Sequence, residues 1–153
     1  MLYLFFGILF FTCALNPGLN SHQNQPSEPE IQSVVYELFD YMRASDVEGI
    51  RSVITVGATL HTVRTDGENT SLSETPFNRF IDSVAGAEPG TLDEKLTSIQ
   101  VHSDENLATA WMEYRFYVAG EFSHCGVNTM NLIRKSDGWK IFSIVDTRRT
   151  EGC

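Results

Sequence analysis

The chain has 153 residues, of which 42% are hydrophobic and 20% are charged, and its formal net charge is -9. This length and composition are typical of one globular domain with a sizeable core. The negative charge argues against nucleic acid or an anionic membrane surface as a partner, because both require clustered Lys and Arg.

The N-terminal segment has the pattern of an export signal. Its first fifteen residues, MLYLFFGILFFTCAL, are apolar and uncharged, and a stretch rich in Asn, Ser, Gln and Pro follows. This pattern predicts a signal peptide or apolar leader over residues 1–20 and a polar spacer over 21–27. We therefore expect an exported chain, periplasmic or extracellular, that makes no membrane contact in its mature form. A tether through the N-terminal segment and a buried N-terminal strand are the alternatives.

The predicted domain, residues 28–153, begins with helices. Residues 27–30 have the spacing of a capping box with proline in the first turn, and apolar residues then recur at helical spacing from Ile31 to Met42. A second capping pattern predicts a short helix that reaches Ile54. Two amphipathic helices are therefore expected before the first strand.

A strand is predicted over residues 57–65, which include His61, and Thr75-Pro76 opens a third helix. The hydrophobic period then changes from 3.6 to 2, which predicts strands over 92–102, 106–118, 121–134 and 138–149. Three helices cannot cover both faces of so long an antiparallel sheet. We therefore expect an α+β cone, in which a strongly curved antiparallel sheet wraps around the three N-terminal helices and encloses a pocket.

The order of these elements resembles the nuclear transport factor 2-like (SnoaL-like) superfamily over about residues 28–149. The stretches AWMEYRFYVAGEFSHCGVNT and DGWKIFSIVDTRR look more narrowly like the subgroup named for lumazine binding, a name that describes a domain rather than its ligand. The resemblance implies a conical, usually dimeric domain with a deep pocket. Its members include isomerases, dehydratases, cyclases, epoxide hydrolases and proteins that are not enzymes, so the fold does not decide the function.

Hairpin pairing predicts which strand residues share a face. A two-residue turn at Ala119-Gly120 would pair Tyr114 with Cys125, and the next hairpin would place Cys125 or Val127 opposite Arg148. We expect this face to line the pocket, although a β-bulge would exchange the two faces beyond it. The ligand-binding residues predicted on this basis, together with the histidine of the first strand, are His61, Met112, Phe116, Cys125, Val127 and Phe142.

Asp146 and Arg148 are the first candidates for chemistry, because their spacing puts them side by side on the last strand. The pair would orient a substrate oxygen or a water if it lines the pocket. The alternative is an ion pair that ties the last strand to the C-terminal tail. A second carboxylate, which the epoxide hydrolases of the superfamily use, is missing from this face, since Glu113 falls on the opposite one.

His124 and Tyr114 complete the predicted catalytic set. The histidine would be a general base near neutral pH, and the tyrosine would donate to a developing oxyanion. Each also has an ordinary structural interpretation, as a hydrogen-bonded strand histidine and as a core tyrosine.

Cys125 and Cys153 are predicted to pair as a disulfide in an oxidising compartment. A buried thiol is the alternative, and a nucleophilic Cys125 is disfavoured because the adjacent His124 points to the other face. No clustered ligand spacing predicts a metal site, and no motif predicts a cofactor.

Three functions remain open from the sequence. The chain is a binding module for a small, partly apolar ligand, or a cofactor-independent isomerase, dehydratase or hydrolase, or a structural domain. We also expect a homodimer through the second sheet face, where the pairing places Trp111, Tyr117, Met130 and Leu132.

Overall fold

A computed structural model describes residues 27–153, so the predicted leader over residues 1–20 lies outside the described part of the chain. The elements, in chain order, are α1 (Glu28–Ala44), α2 (Val47–Val53), β1 (Ile54–Asp66), β2 (Asn69–Thr75), α3 (Phe77–Ala85), β3 (Leu92–Asp104), β4 (Leu107–Val118), β5 (Glu121–Lys135) and β6 (Gly138–Thr147). The three helices pack against one face of a single curved sheet, which confirms the predicted α+β cone. Within residues 27–153, no helix is both long and apolar enough to cross a membrane.

The helices form where the sequence has caps and apolar stripes. α1 has proline in its first turn and two acidic residues there that complement the helix dipole, and it buries a continuous stripe from Ile31 to Met42. The helix ends at Ser45 in the left-handed conformation. Asp46 then caps α2 by accepting a hydrogen bond from the amide of Gly49 at 2.9 Å. The helices therefore present a preformed apolar surface to the sheet.

The sheet has the strand order β2-β1-β6-β5-β4-β3. The prediction of a wholly antiparallel sheet is wrong in one respect, because β1 and β6 pair in parallel. Their direction is not set by a hairpin, since α3 and four strands lie between them in the chain, and pairing over such a distance leaves no local signal. β2 was not predicted either. Its residues, NTSLSET, are polar except for Leu72 and are mostly exposed, and they show no alternation.

A β-bulge at Ser123 sets which residues of β5 face inward. Tyr117 pairs with Phe122 and Phe116 pairs with His124, so one residue of β5 has no partner on β4. Beyond the bulge, Tyr114 pairs with Gly126 rather than with Cys125 as predicted. The exchange of faces that a bulge would cause therefore takes place. The inward residues of β5 are His124, Asn128, Met130 and Leu132.

A second bulge lies at Phe142 in β6. Leu132 pairs with Ile141 and Asn131 with Ser143, so Phe142 is unpaired and stands 37% exposed. Ile141 and Ile144 are consequently both buried in the core, although regular alternation along β6 would put these two residues on opposite faces. Each bulge changes the sheet face to which the side chains in one part of its strand point, and Asp146 remains on the inner side.

The C-terminal tail is held against β5 beyond the last regular pair. Cys125 exchanges two backbone hydrogen bonds of 2.9 Å with Arg149, and its sulfur forms a disulfide with Cys153. Between the pair Asn128–Asp146 and these contacts, the backbone of Thr147 crosses close over Gly126, where a Cβ atom would collide with the Thr147 carbonyl oxygen. The hydroxyl of Tyr114 donates to the same carbonyl at 2.9 Å. The segment that carries Asp146 and Arg148 is therefore anchored on both sides.

Candidate functional site

A cavity of about 310 Å³ lies between the helices and the concave face of the sheet. This volume is at the lower end of the range for small-molecule sites. The apolar wall comprises Leu38, Phe39, Met42, Leu60, Phe80, Val84, Leu92, Phe116, Met130 and Ile144. The polar lining comprises Thr75, Arg79, Ser83, Glu94, His124, Asn128, Asp146 and Arg148.

Glu94 is the most strongly perturbed carboxyl that lines the cavity. β3 points it inward together with Leu92 and Leu96, and the amide nitrogen of Asn128 donates to its Oε1 at 2.5 Å. Burial raises the pKa of Glu94 to about 8, and the negative charge of Asp146 adds to this, whereas the Asn128 hydrogen bond and Arg148 act in the opposite direction. Glu94 is therefore mostly a neutral carboxylic acid at pH 7.

Asp146 supplies the second carboxyl, and it is paired with a cation. Nε of Arg148 donates to its Oδ2 at 2.7 Å, and the two side chains are 8% and 36% exposed respectively. Asp146 lies beside Asn128 on the neighbouring strand. Its other oxygen, Oδ1, is buried and accepts no hydrogen bond from residues 27–153. Such an acceptor requires a donor, because a buried unpaired oxygen costs free energy.

His124 borders the same polar cluster. Its ring stands edge-on to Tyr114 with centroids 5.8 Å apart, and Nδ1 lies 3.0 Å from the hydroxyl of Ser123. Burial lowers the pKa of His124, and the nearby charge of Arg148 lowers it further, while Asp146 raises it. A neutral imidazole at pH 7 can accept a proton, which is the state that a general base requires.

The arrangement thus combines an acid that carries its proton, a carboxylate with a counter-ion and a neutral imidazole. Asn128 stands between the two carboxyls, because its amide nitrogen donates to Glu94 and its partner on the neighbouring strand is Asp146. A protonated carboxyl and a second carboxyl that is paired with an arginine, both on the cavity wall, form a pattern typical of acid–base sites. The remaining wall is apolar and strengthens the electrostatic interactions within it.

Four of the predicted site residues line this cavity, namely Phe116, His124, Asp146 and Arg148. Tyr114 does not. It is 2% exposed and its hydroxyl is occupied by the Thr147 carbonyl, so it supports the ring of His124 and the tail rather than facing a ligand.

The other five predicted ligand-binding residues do not line it. The bulge at Ser123 turns Val127 and Cys125 to the outer side, where Cys125 is bonded to Cys153. The second bulge exposes Phe142 on a shallow depression elsewhere on the surface. Met112 faces inward but is fully enclosed in the core. His61 alternates with the inward residues of β1 and lies 3.8 Å from Glu74 on the other side of the sheet.

Glu94 and Asn128 were not among the predicted residues. Glu94 had a readable signal, because it alternates with two leucines in a strand whose leucines face the core. Asn128 had none, since its inward direction depends on the bulge at Ser123. Among residues 27–153, no group of three or more His, Cys, Asp or Glu is placed to hold a metal ion.

The fold is that of the nuclear transport factor 2-like proteins. A protein of this kind from Shewanella baltica superposes with a TM-score of 0.57 and 15% identity, over 80% of this chain and 94% of that one. One from Novosphingobium aromaticivorans, described as having a cystatin-like fold, gives 0.59 and 15% over 82% of both chains. A proposed dehydratase of the family from Streptomyces avermitilis gives 0.59 and 16% over 79% and 94%.

At these identities the likeness shows the fold alone. No protein-family model matches the sequence, and no curated protein matches it. The particular function must therefore be argued from the cavity itself.

Proposed function

We propose that the cavity binds a small, largely apolar molecule with an oxygen function at one end, and that Glu94 and Asp146 transfer a proton to and from it without a cofactor. The observation that carries the proposal is the pair of carboxyls on one wall of an apolar cavity, one neutral at pH 7 and the other paired with Arg148. The unpartnered Oδ1 of Asp146 is the acceptor in this scheme.

The chemistry follows from the protonation states. Glu94 donates a hydrogen bond, or its proton, to the ligand oxygen, because its carboxyl is neutral. Asp146 takes a proton from the neighbouring carbon or hydroxyl, and Arg148 keeps its charge balanced. His124 is a second proton acceptor at the same wall. Isomerisation, dehydration and hydrolysis all use such a pair, and a dehydratase assignment has been made for the Streptomyces avermitilis protein.

Exchange of the α-hydrogens of 2-octanone for deuterium, followed by NMR, tests this proposal. The ketone oxygen would accept from Glu94, and Asp146 would remove and return the α-hydrogen. We expect exchange above the buffer rate for the wild type and a loss of about tenfold or more in Glu94→Gln and in Asp146→Asn. Glu113→Gln, the same change on the outer face, is the matched control.

The outcomes separate the three functions that the sequence left open. Binding of 2-octanone with no exchange above buffer would refute proton transfer and leave a binding module. Absence of both would refute a ligand-binding cavity. Equal loss in the Glu113 control would show that the effect is not local to the cavity.

We also propose that two copies associate through the outer sheet face and that the chain is exported. Trp111 and Ile133 are 50% and 41% exposed there, which supports an apolar contact, although Met130 and Leu132 lie in the core instead.

The disulfide supports an oxidising compartment, as the proposal of export requires. Mass spectrometry of the chain recovered after expression tests export, because removal of about residues 1–20 is expected.

A further inference from the structure

Two arginines, Arg79 and Arg148, line the cavity, and a third lies beside Arg148; we call the part of the cavity that Arg79 and Arg148 line the cavity mouth. Arg148 and Arg79 line the cavity from the end of the sheet and from α3 respectively. Arg64 lies on β1 one residue beyond the pair Val63–Thr147, which puts it next to Arg148, and its charge is felt at His124. Guanidinium groups from α3 and from the end of the sheet therefore line the mouth, and that of Arg64 on β1 adds positive charge beside Arg148.

This concentration of positive charge contrasts with the rest of the chain, whose formal net charge is -9. Arg43 and Arg51 each have a carboxylate within 4 Å, as does Arg148. Within residues 27–153, no carboxylate lies that close to Arg64 or Arg79. Of the cavity carboxyls, only Asp146 has an arginine partner. The mouth thus carries a local positive excess in an acidic protein.

We infer that the ligand of this cavity is an apolar carboxylic acid, whose carboxylate is held at the mouth by Arg79 with the positive charges of Arg148 and Arg64 nearby, and whose hydrocarbon part enters the apolar interior. A guanidinium fork matches a carboxylate in geometry and charge. The wall below the mouth is formed by side chains such as Phe80, Leu60 and Ile144, which suit a hydrocarbon chain. The inference rests on the proposed function, because it names the class of molecule that the same cavity takes.

Octanoate and octanamide test the inference as a matched pair of probes, since they share length and shape and differ in charge at pH 7. Titration calorimetry of the full chain at low salt should show octanoate binding about tenfold more tightly, the factor that corresponds to 1.4 kcal/mol. Arg79→Gln and Arg64→Gln should each weaken octanoate severalfold and leave octanamide unchanged. Raising the salt should reduce the preference, because the mouth is open to solvent.

Arg134→Gln is the matched control, since it removes the same charge from the rim of the separate shallow depression. Equal affinity for both probes, with no effect of the two mouth variants, would overturn the carboxylic acid while leaving cavity binding intact. Failure of both probes to bind would overturn the binding function itself. Octyl phosphate, as a third probe, should bind no better than octanoate, and a clear preference for it would replace the carboxylate with a phosphate.

Discussion

The protonation of Glu94 makes a prediction about stability that needs no ligand. In the unfolded chain this carboxyl has its ordinary pKa of 4.5, whereas burial in the folded protein raises the pKa to about 8. Between these values the native state holds one proton more than the unfolded state. The free energy of unfolding therefore contains a contribution that falls as the pH rises from 4.5 to 8.

The size of this contribution follows from the two pKa values. A difference from 4.5 to about 8, at 1.36 kcal/mol for each pH unit, corresponds to ~5 kcal/mol lost between acid and alkaline conditions. Glu94→Gln keeps the carbonyl oxygen that Asn128 reaches and cannot lose a proton. The variant should match the wild type near pH 4.5 and exceed it in stability above pH 8.

Urea unfolding from pH 5 to 9, followed by the fluorescence of the buried Trp139, measures the difference between the two proteins. Subtracting the two stabilities isolates the contribution of Glu94 from that of His124, which both proteins share. The lowered pKa of His124 has the opposite effect, because it removes stability as the pH falls below 6.5. Glu113→Gln supplies a control with an exposed carboxyl. A difference between wild type and Glu94→Gln that stays constant across this range would refute the account of Glu94.

Four further substitutions test the Asp146–Arg148 pair, the disulfide and the outer face. Arg148→Ala should lower the free energy of unfolding by ~3–5 kcal/mol, because it leaves the buried carboxylate of Asp146 without a counter-ion. Asp146→Asn leaves a partly exposed arginine and should cost about 1 kcal/mol. The reverse order of urea midpoints would contradict this. Cys153→Ser should cost ~3–4 kcal/mol, since the crosslink to Cys125 spans 28 residues, and alkylation of both thiols in the unreduced, denatured protein would disprove the bond. Trp111→Lys should turn a dimer into a monomer in sedimentation velocity, and a monomeric wild type at micromolar concentration would end the proposal.

The fold was largely predictable because its signals are local. The sequence of α1 has the spacing of a capping box and a continuous apolar stripe, and turn residues separate β3 to β6, so the predicted bounds of these elements differ from the observed ones by at most two residues. The turn at Ala119-Gly120 was predicted as well, and both of its residues have positive φ as a tight hairpin requires. What local patterns could not show is the parallel pairing of β1 with β6.

The site was only half predictable, for a reason that lies in the two bulges. Phe116 keeps its predicted face because β4 has no extra residue there, whereas Val127, beyond the bulge at Ser123 in β5, does not. One unpaired residue moves every later side chain to the opposite side. Asp146 lies inward as predicted, because the predicted face of β6 matches the part of that strand beyond Phe142. Glu94 was missed because hairpin pairing assigned faces only to the last three strands.

Gly126 separates the demands of folding from those of chemistry. It contributes no functional group, yet any side chain there would push the Thr147 carbonyl away and displace the residues on either side of it, Asp146 and Arg148. In a library selected only for folding, position 126 should therefore tolerate glycine alone, whereas position 146 should accept neutral residues of similar size. Under selection for activity, position 146 should no longer accept these neutral residues, and position 126 should still accept glycine alone.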